Sequence, residues 1–169
     1  MLYFDLDGVL RDINYLVFGK EEPDKWDAVN NSGNDVITAV NKNRDILTRA
    51  PGTEYLKPVL DYIENYGKSL CLITCQPSAW RPYTEKWIEK NITKRPYFSA
   101  RPPIVYYTRE PEAKLGLLSK NDYLVEDYPK FKTYEKIYLI DRQYNRNVRG
   151  ERHRVRKPKD LIKIMEGKL

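Results

Sequence analysis

Histidine and cysteine are nearly missing from this 169-residue chain, which holds one His and two Cys. Cys71 and Cys75 stand four residues apart in the apolar stretch LCLITC, where an extended strand holds them too far apart for a disulfide. With so few soft ligands there is no zinc set either. Two buried thiols fit a reducing compartment, so a cytoplasmic location is expected. Long apolar runs are also lacking: none approaches the ~20 residues of a membrane helix, and no membrane partner is expected. No Gly-rich phosphate loop of the Walker type occurs, which excludes a kinase half. Leu2-Tyr3-Phe4-Asp5 follows the first residue without a basic leader or a small-residue cleavage site, so no signal peptide is expected. Internal repeats and low-complexity tracts do not stand out.

What is present describes a folded domain. The hydrophobic fraction is 41%, with 14 Tyr and 3 Trp, which argues against disorder. The length suits one domain with a small insertion. The net charge of +6 is unevenly placed, because Arg142 to Lys159 carries eight Arg or Lys against one acid, Glu151. Residues 142–159 read either as a solvated face or as a surface that attracts anions, with nucleic acid as a possible partner. Only Tyr144 interleaves that stretch, which speaks against a dedicated nucleic-acid module.

Five short runs of aromatic and β-branched residues read as buried strands: LYFDL (2–6), SLCLIT (69–74), IVYYT (104–108), DYLVE (122–126) and KIYLID (136–141). Helical spacing connects them. Tyr55, Leu56, Val59, Leu60 and Ile63 recur at helix period and stop at Gly67, with Thr53 as candidate N-cap. A second helix runs from Ser78 to Asn91, a third starts near Pro111 with Leu115, Leu117 and Leu118, and a last one spans Pro158 to Glu166. This alternation predicts an α/β fold, a parallel Rossmann-like sheet with helices on both faces. Roughly fifty residues separate the first strand from the helix at Tyr55, far more than a βα loop holds. Asn34 to Arg49 reads there as one amphipathic helix, and Tyr15 to Phe18 as an apolar patch. Residues 13–49 are therefore expected to form a small helical cap, and residues 1–12 with 50–169 the core. An excursion leaving the C-terminal end of a strand sits where such sheets bind ligands.

The first strand ends in Asp5-Leu6-Asp7-Gly8. Alternate strand residues project alike, so two carboxylates would stand together past the strand end. They repel unless a cation or shared proton lies between them, and a hard divalent metal such as Mg²⁺ is the natural partner. Three further features fall at the same edge. Thr74 and Cys75 close the second strand, Lys114 precedes the fourth (with Lys120 as a rival nearby), and Glu126-Asp127 ends it.

In this order, DLDGVL, Thr74, Lys114 and Glu126-Asp127 resemble the four motifs of the haloacid dehalogenase-like phosphatase superfamily. The run PGTEYLKPVLDYIENYGKSLCLIT looks like that superfamily's passage from cap to second strand. Within it the 5'(3')-deoxyribonucleotidases are the nearest likeness, through Glu85-Lys86-Trp87 and the later LIDRQYN. The likeness covers residues 1 to about 147, and it departs where Glu126 stands in place of a first Asp. It implies Asp5 as nucleophile and Asp7 as acid and base. It also implies Thr74, Cys75 and Lys114 as phosphate ligands, and Asp5, Asp7 (by its backbone carbonyl), Glu126 and Asp127 around Mg²⁺. Asp127 is preferred over Glu126 as the direct ligand. The expected activity is Mg²⁺-dependent hydrolysis of phosphomonoesters through an aspartyl-phosphate, with a nucleotide as substrate. Tyr15, Phe18 and Trp26 are candidates to stack a base, and Arg11 and Asp12 to line the pocket or pair at its rim. A polynucleotide 3'-phosphatase, or a nucleic-acid binder using the basic stretch, is the alternative.

Overall fold

A computed structural model of the chain describes residues 1–19, 22–146 and 153–168. Its centre is a six-stranded, wholly parallel sheet in the order β3-β2-β1-β4-β5-β6. The strands are β1 (Leu2–Phe4), β2 (Cys71–Cys75), β3 (Ile104–Thr108), β4 (Tyr123–Glu126), β5 (Ile137–Ile140) and β6 (Arg154–Val155). The five runs read from sequence are the first five of these. Strand β6 was not foreseen, because its two residues lie inside the basic stretch. The inner strands are nearly continuous apolar runs because both faces of a parallel sheet are covered.

Strand parity separates the two faces. Phe4, Leu72, Val125 and Ile140 belong to the larger core, with Val59, Leu60 and Ile63 of α4 (Leu56–Asn65), Trp87 and Ile88 of α5 (Arg81–Ile88) and Leu161 of α7 (Pro158–Met165). Tyr3, Ile73, Leu124 and Ile137 face the other way and meet Phe131, Leu115 and Leu118. On that second face the helix expected at Pro111 is a 3₁₀ coil, Pro111–Leu117, joined by a 3₁₀ turn at Pro129–Phe131. Helix α4 ends as its sequence indicates. Gly67 takes φ +63°, its N–H bonds the carbonyl of Glu64, and Lys68 N–H bonds that of Ile63, a Schellman closure. The N-cap position is Tyr55 and not Thr53, which stands two residues before it, where its hydroxyl donates to Val9 O and accepts from Tyr55 N. The helix expected over Ser78–Asn91 begins as a 3₁₀ turn and ends in a π turn at Glu89–Thr93, and α6 (Pro96–Ala100) follows it.

Between β1 and α4 the chain leaves the sheet and forms α1 (Asn14–Phe18), α2 (Val36–Lys42) and α3 (Asp45–Arg49). The single helix expected over Asn34–Arg49 is thus broken in two. Asn43 is extended at φ −142°, and its side-chain oxygen accepts from Asp45 N at 3.2 Å. That local Asx bond competes with helix continuation and starts α3 instead. Ile13, Val40, Leu47 and Ala50 pack against Trp80, which gives these helices a small core of their own above the C-terminal edge of the sheet. The segment departs and returns side by side: Asp12 N–H bonds Pro51 O, and Thr53 N–H bonds Leu10 O.

The basic stretch also needs correction. Arg142 is buried, its Nε on Gly8 O at 2.8 Å and its Nη1 on Glu22 and Glu54 at 3.1 Å. Arg154 pairs with Asp141 at 2.8 Å. These two arginines hold the fold together and do not belong to an anion-attracting surface, while Arg149 and Arg152 lie outside the described residues. Among the described residues no helix is long and apolar enough to cross a membrane, and Cys71 and Cys75 are unpaired.

Candidate active site

Strand order alone brings the acidic motifs together. Strand β1 lies between β2 and β4, and β1 to β4 is where the order reverses, the crevice in which α/β sheets bind ligands. Tyr3 pairs with Leu124 and Phe4 with Val125, and Asp5 N–H continues the ladder to Val125 O at 2.8 Å. The next step of that register sets Asp5 beside Glu126. Both then face the side on which the 3₁₀ coil presents Lys114.

Lys114 is buried, with Nζ 2.9 Å from Asp5 Oδ1 and 2.7 Å from Glu126 Oε2. Lys120 is exposed, so Lys114 is the lysine that meets the motif. The other oxygen of Glu126 accepts from the N–H groups of Asp127 and Tyr128. Asp127 receives the Tyr144 hydroxyl on Oδ2, while its Oδ1 is buried without a partner. Ligand atoms of Asp5, Glu126 and Asp127 all lie within 4.8 Å of one another. One ammonium thus pairs with two buried carboxyls, and a third, Asp127, stands beside them. Burial, and then the charge of Glu126, pushes the Asp5 and Asp127 carboxyls well above the usual range. Burial opposes ionisation of Glu126 too, but Lys114 and the hydrogen bonds hold it below the ordinary value. Burial likewise disfavours the Lys114 ammonium, yet Asp5 and Glu126 outweigh it and hold its pKa above that of a free lysine.

The surplus negative charge and the orphaned Asp127 Oδ1 fit a hard divalent cation, which takes oxygen ligands and offsets carboxylate repulsion. Asp127 is the carboxylate with an open acceptor, whereas both oxygens of Glu126 are already engaged. Gly8 makes the close approach possible. Its φ is +81°, and a Cβ there would lie 2.5 Å from Asp127 Cγ, nearer still to Oδ2, and 3.0 Å from the Tyr144 hydroxyl.

Asp7 turns to other company. Arg11 Nε donates to its Oδ1 at 2.6 Å, Arg11 Nη2 to its Oδ2 at 3.0 Å, and Gln76 Nε2 to Oδ2 at 2.7 Å. Strand parity predicts the Asp5 and Asp7 carboxylates side by side, with a cation or a shared proton between them. Because the chain turns between them, both line one cavity but their side chains face different partners. Arg11, expected at the pocket or its rim, is fully buried behind Asp7, and Asp12 accepts from Tyr15 N at the start of α1.

The cavity over these residues has a volume of about 420 Å³. Its floor is Asp5, Asp7, Thr74, Cys75, Lys114, Glu126 and Asp127, and Phe18, Trp26, Trp80, Tyr128 and Val36 wall it. Trp26 sits 5.1 Å from the Tyr128 ring and 5.3 Å from that of Tyr144. Tyr15, grouped with Phe18 and Trp26 from sequence, is not among the lining residues. Sequence reasoning missed the support of this site. Tyr144 holds Asp127 by its carboxylate, and Asn145 holds it by its carbonyl at 2.9 Å. Gln76 braces Asp7. Tyr144 and Asn145 do lie in LIDRQYN, but that likeness gave them no role; the further signal, for Gln76 too, is a cluster of polar residues immediately after apolar strands.

No protein-family model matches this sequence, and no curated protein matches it. Among solved structures, the chain is similar to one described as "putative beta-phosphoglucomutase from Thermotoga maritima", with a TM-score of 0.56 and 15% identity over 99% of this chain and 99% of that one. At that identity the likeness carries the fold: a Rossmann-like parallel sheet with helices packed on it.

Proposed function

We propose that the protein is a phosphomonoester hydrolase that works through an aspartyl-phosphate on Asp5, with residues 13–49 as a cap over the site. One observation carries this reading: Asp5 is buried at the topological switch point, paired with Lys114, and grouped with Glu126 and Asp127 around space suited to a cation. Mg²⁺ would be held by Asp5 and Asp127, with the backbone carbonyl of Asp7 and with Glu126 as ligand or support. When bound it would offset the repulsion between a carboxylate and a phosphate dianion.

The side chains then divide the work. An Asp5 oxygen attacks phosphorus, and the ester P–O bond breaks. Asp7 gives its proton to the leaving oxygen, then takes one from the water that attacks the aspartyl-phosphate. That second step releases inorganic phosphate and restores the Asp5 carboxylate. Lys114, with Thr74 and Cys75 at the end of β2, is positioned to hold phosphoryl oxygens. One such donor is worth about 3 kcal/mol in the transition state.

The walls favour a leaving group with a flat, apolar portion, and a nucleoside monophosphate is the substrate we assign. The cavity size suits a small ligand. Asp27 and Asp35 also line it, and their charge would repel a polynucleotide end, so the 3'-phosphatase reading is the weaker. Asp5→Asn should abolish phosphate release in a screen of 5'- and 3'-mononucleotides and sugar phosphates, with the fold intact by circular dichroism. Activity should vanish with EDTA and return with Mg²⁺. A variant at wild-type rate refutes the nucleophile, and indifference to chelator removes the metal.

A further inference from the structure

Four buried or half-buried side chains close a ring behind the cavity. Arg11 holds both oxygens of Asp7. Its Nη2 also donates to Thr84 Oγ1 at 3.1 Å, the Thr84 hydroxyl donates to Gln76 Oε1 at 2.7 Å, and Gln76 Nε2 returns to Asp7. Arg11, Gln76 and Thr84 are each 0% exposed, and of the four only Asp7 lines the cavity. A desolvated Arg needs its donors filled, and Nη1, the remaining nitrogen, donates to Leu47 O in α3 at 3.1 Å. That carbonyl is available for a sequence reason. Its helical partner would be the N–H of residue 51, a proline, which has none. The guanidinium also lies 5.5 Å from the centre of the Trp87 ring, whose indole N–H bonds Ala50 O at 2.7 Å where the chain re-enters the core.

We infer that Arg11 is a positioning residue for Asp7: it fixes the orientation of that carboxylate and ties it directly to α3, so that the seating of the segment over the site and the aim of the proton donor are set by one side chain. A bidentate guanidinium fixes a carboxylate in plane and direction, which a lysine's point charge cannot do. Gln76 and Thr84 brace the fork from the sheet and from α5. The inference rests on the phosphatase reading above, since it assigns what Arg11 does for the group that moves the proton.

Leaving-group chemistry separates this role from a merely structural one. p-Nitrophenolate departs without a proton, whereas an alkoxide must receive one as the P–O bond breaks. General acid catalysis contributes about 10²–10⁴-fold. In the full-length Arg11→Lys variant with Mg²⁺, the first-turnover rate on an alkyl phosphate such as ribose 5-phosphate should fall at least ~100-fold. The burst of p-nitrophenolate from p-nitrophenyl phosphate should stay within ~10-fold of wild type, and the phosphorylated enzyme should accumulate, because the second half-reaction needs the same carboxylate as base. Thr84→Val leaves the Arg11–Asp7 pair in place and should give the same pattern at ~10-fold on the alkyl ester, so it carries the test if the lysine variant does not fold. Equal losses on both esters, or no loss on either, overturn the inference while leaving the phosphatase reading standing. A wild-type enzyme that turns over neither ester overturns both.

Discussion

Lys114→Met isolates the electrostatic bargain at the heart of the site. The substitution keeps the side chain's length and apolar body and removes the ammonium that sits 2.9 Å from Asp5 and 2.7 Å from Glu126. Removing one partner of a buried ion pair costs about 3–5 kcal/mol, because the charge left behind has lost its water and gained nothing. Domain stabilities run at about 5–15 kcal/mol, so the loss is a large share of the whole. At about 2–4 °C per kcal/mol for a chain of this size, the melting temperature should drop by roughly 6–20 °C. Urea unfolding at neutral pH with EDTA present measures it. The loss should also depend on pH. Burial already pushes the Asp5 carboxyl above the usual range, and without Lys114 it rises further. A group whose folded pKa exceeds its unfolded one contributes stability below the unfolded value and loses it as pH rises through the folded one. The deficit of Lys114→Met should therefore shrink on acidification. Adding Glu126→Gln removes one stranded charge and should recover part of the loss, a non-additive pair. A Lys114→Met protein within ~1 kcal/mol of wild type at neutral pH, with a deficit indifferent to pH, would refute the reasoning.

Two further outcomes test the surroundings. Gly8→Ala meets both the left-handed backbone and the Asp127 carboxylate; it should cost about 2–5 kcal/mol and leave no phosphatase activity even where the protein stays folded, as thermal melts and phosphate release will show. At the surface, hydrogen bonds from Lys57 and then Arg95 hold the Asp61 carboxyl below its ordinary 3.8. The stability it contributes is present above that value and lost as pH falls through the depressed one, so Asp61→Asn should lower the urea midpoint slightly at neutral pH, leave the most acid points nearly unchanged, and so flatten the acid limb of the profile.

How much of this was legible beforehand follows from the range of each interaction. The inner strands were readable because burial on both faces demands continuous apolar runs such as CLITC and IYLI, whereas IVYYT, which also reads as buried, is the edge strand and exposes Ile104 and Tyr106. Helix α4 was readable because its period and Gly67 are local signals. The acidic motifs were readable because each stands at a strand end, where composition changes abruptly. Cap geometry was not, since a single Asx bond at Asn43 decides whether Asn34–Arg49 is one helix or two, and periodicity is the same either way. The basic stretch misled for a related reason: charge counts do not say which arginines turn inward, and Arg142 does so only because Gly8 O, Glu22 and Glu54 wait for it.

By itself, then, the order of residues determined a parallel α/β sheet, the edge at which chemistry would gather, and the candidacy of Asp5, Asp7 and the 126–127 pair, since these depend on patterns within a few residues. The tertiary structure alone decided how they are partnered. Lys114 rather than Lys120 reaches Asp5, Asp127 rather than Glu126 keeps an open oxygen, and Asp7 turns to Arg11. Each of these is settled by groups from distant stretches of chain competing in a space without water, where a hydrogen bond or charge left unmatched costs more than local preference can supply.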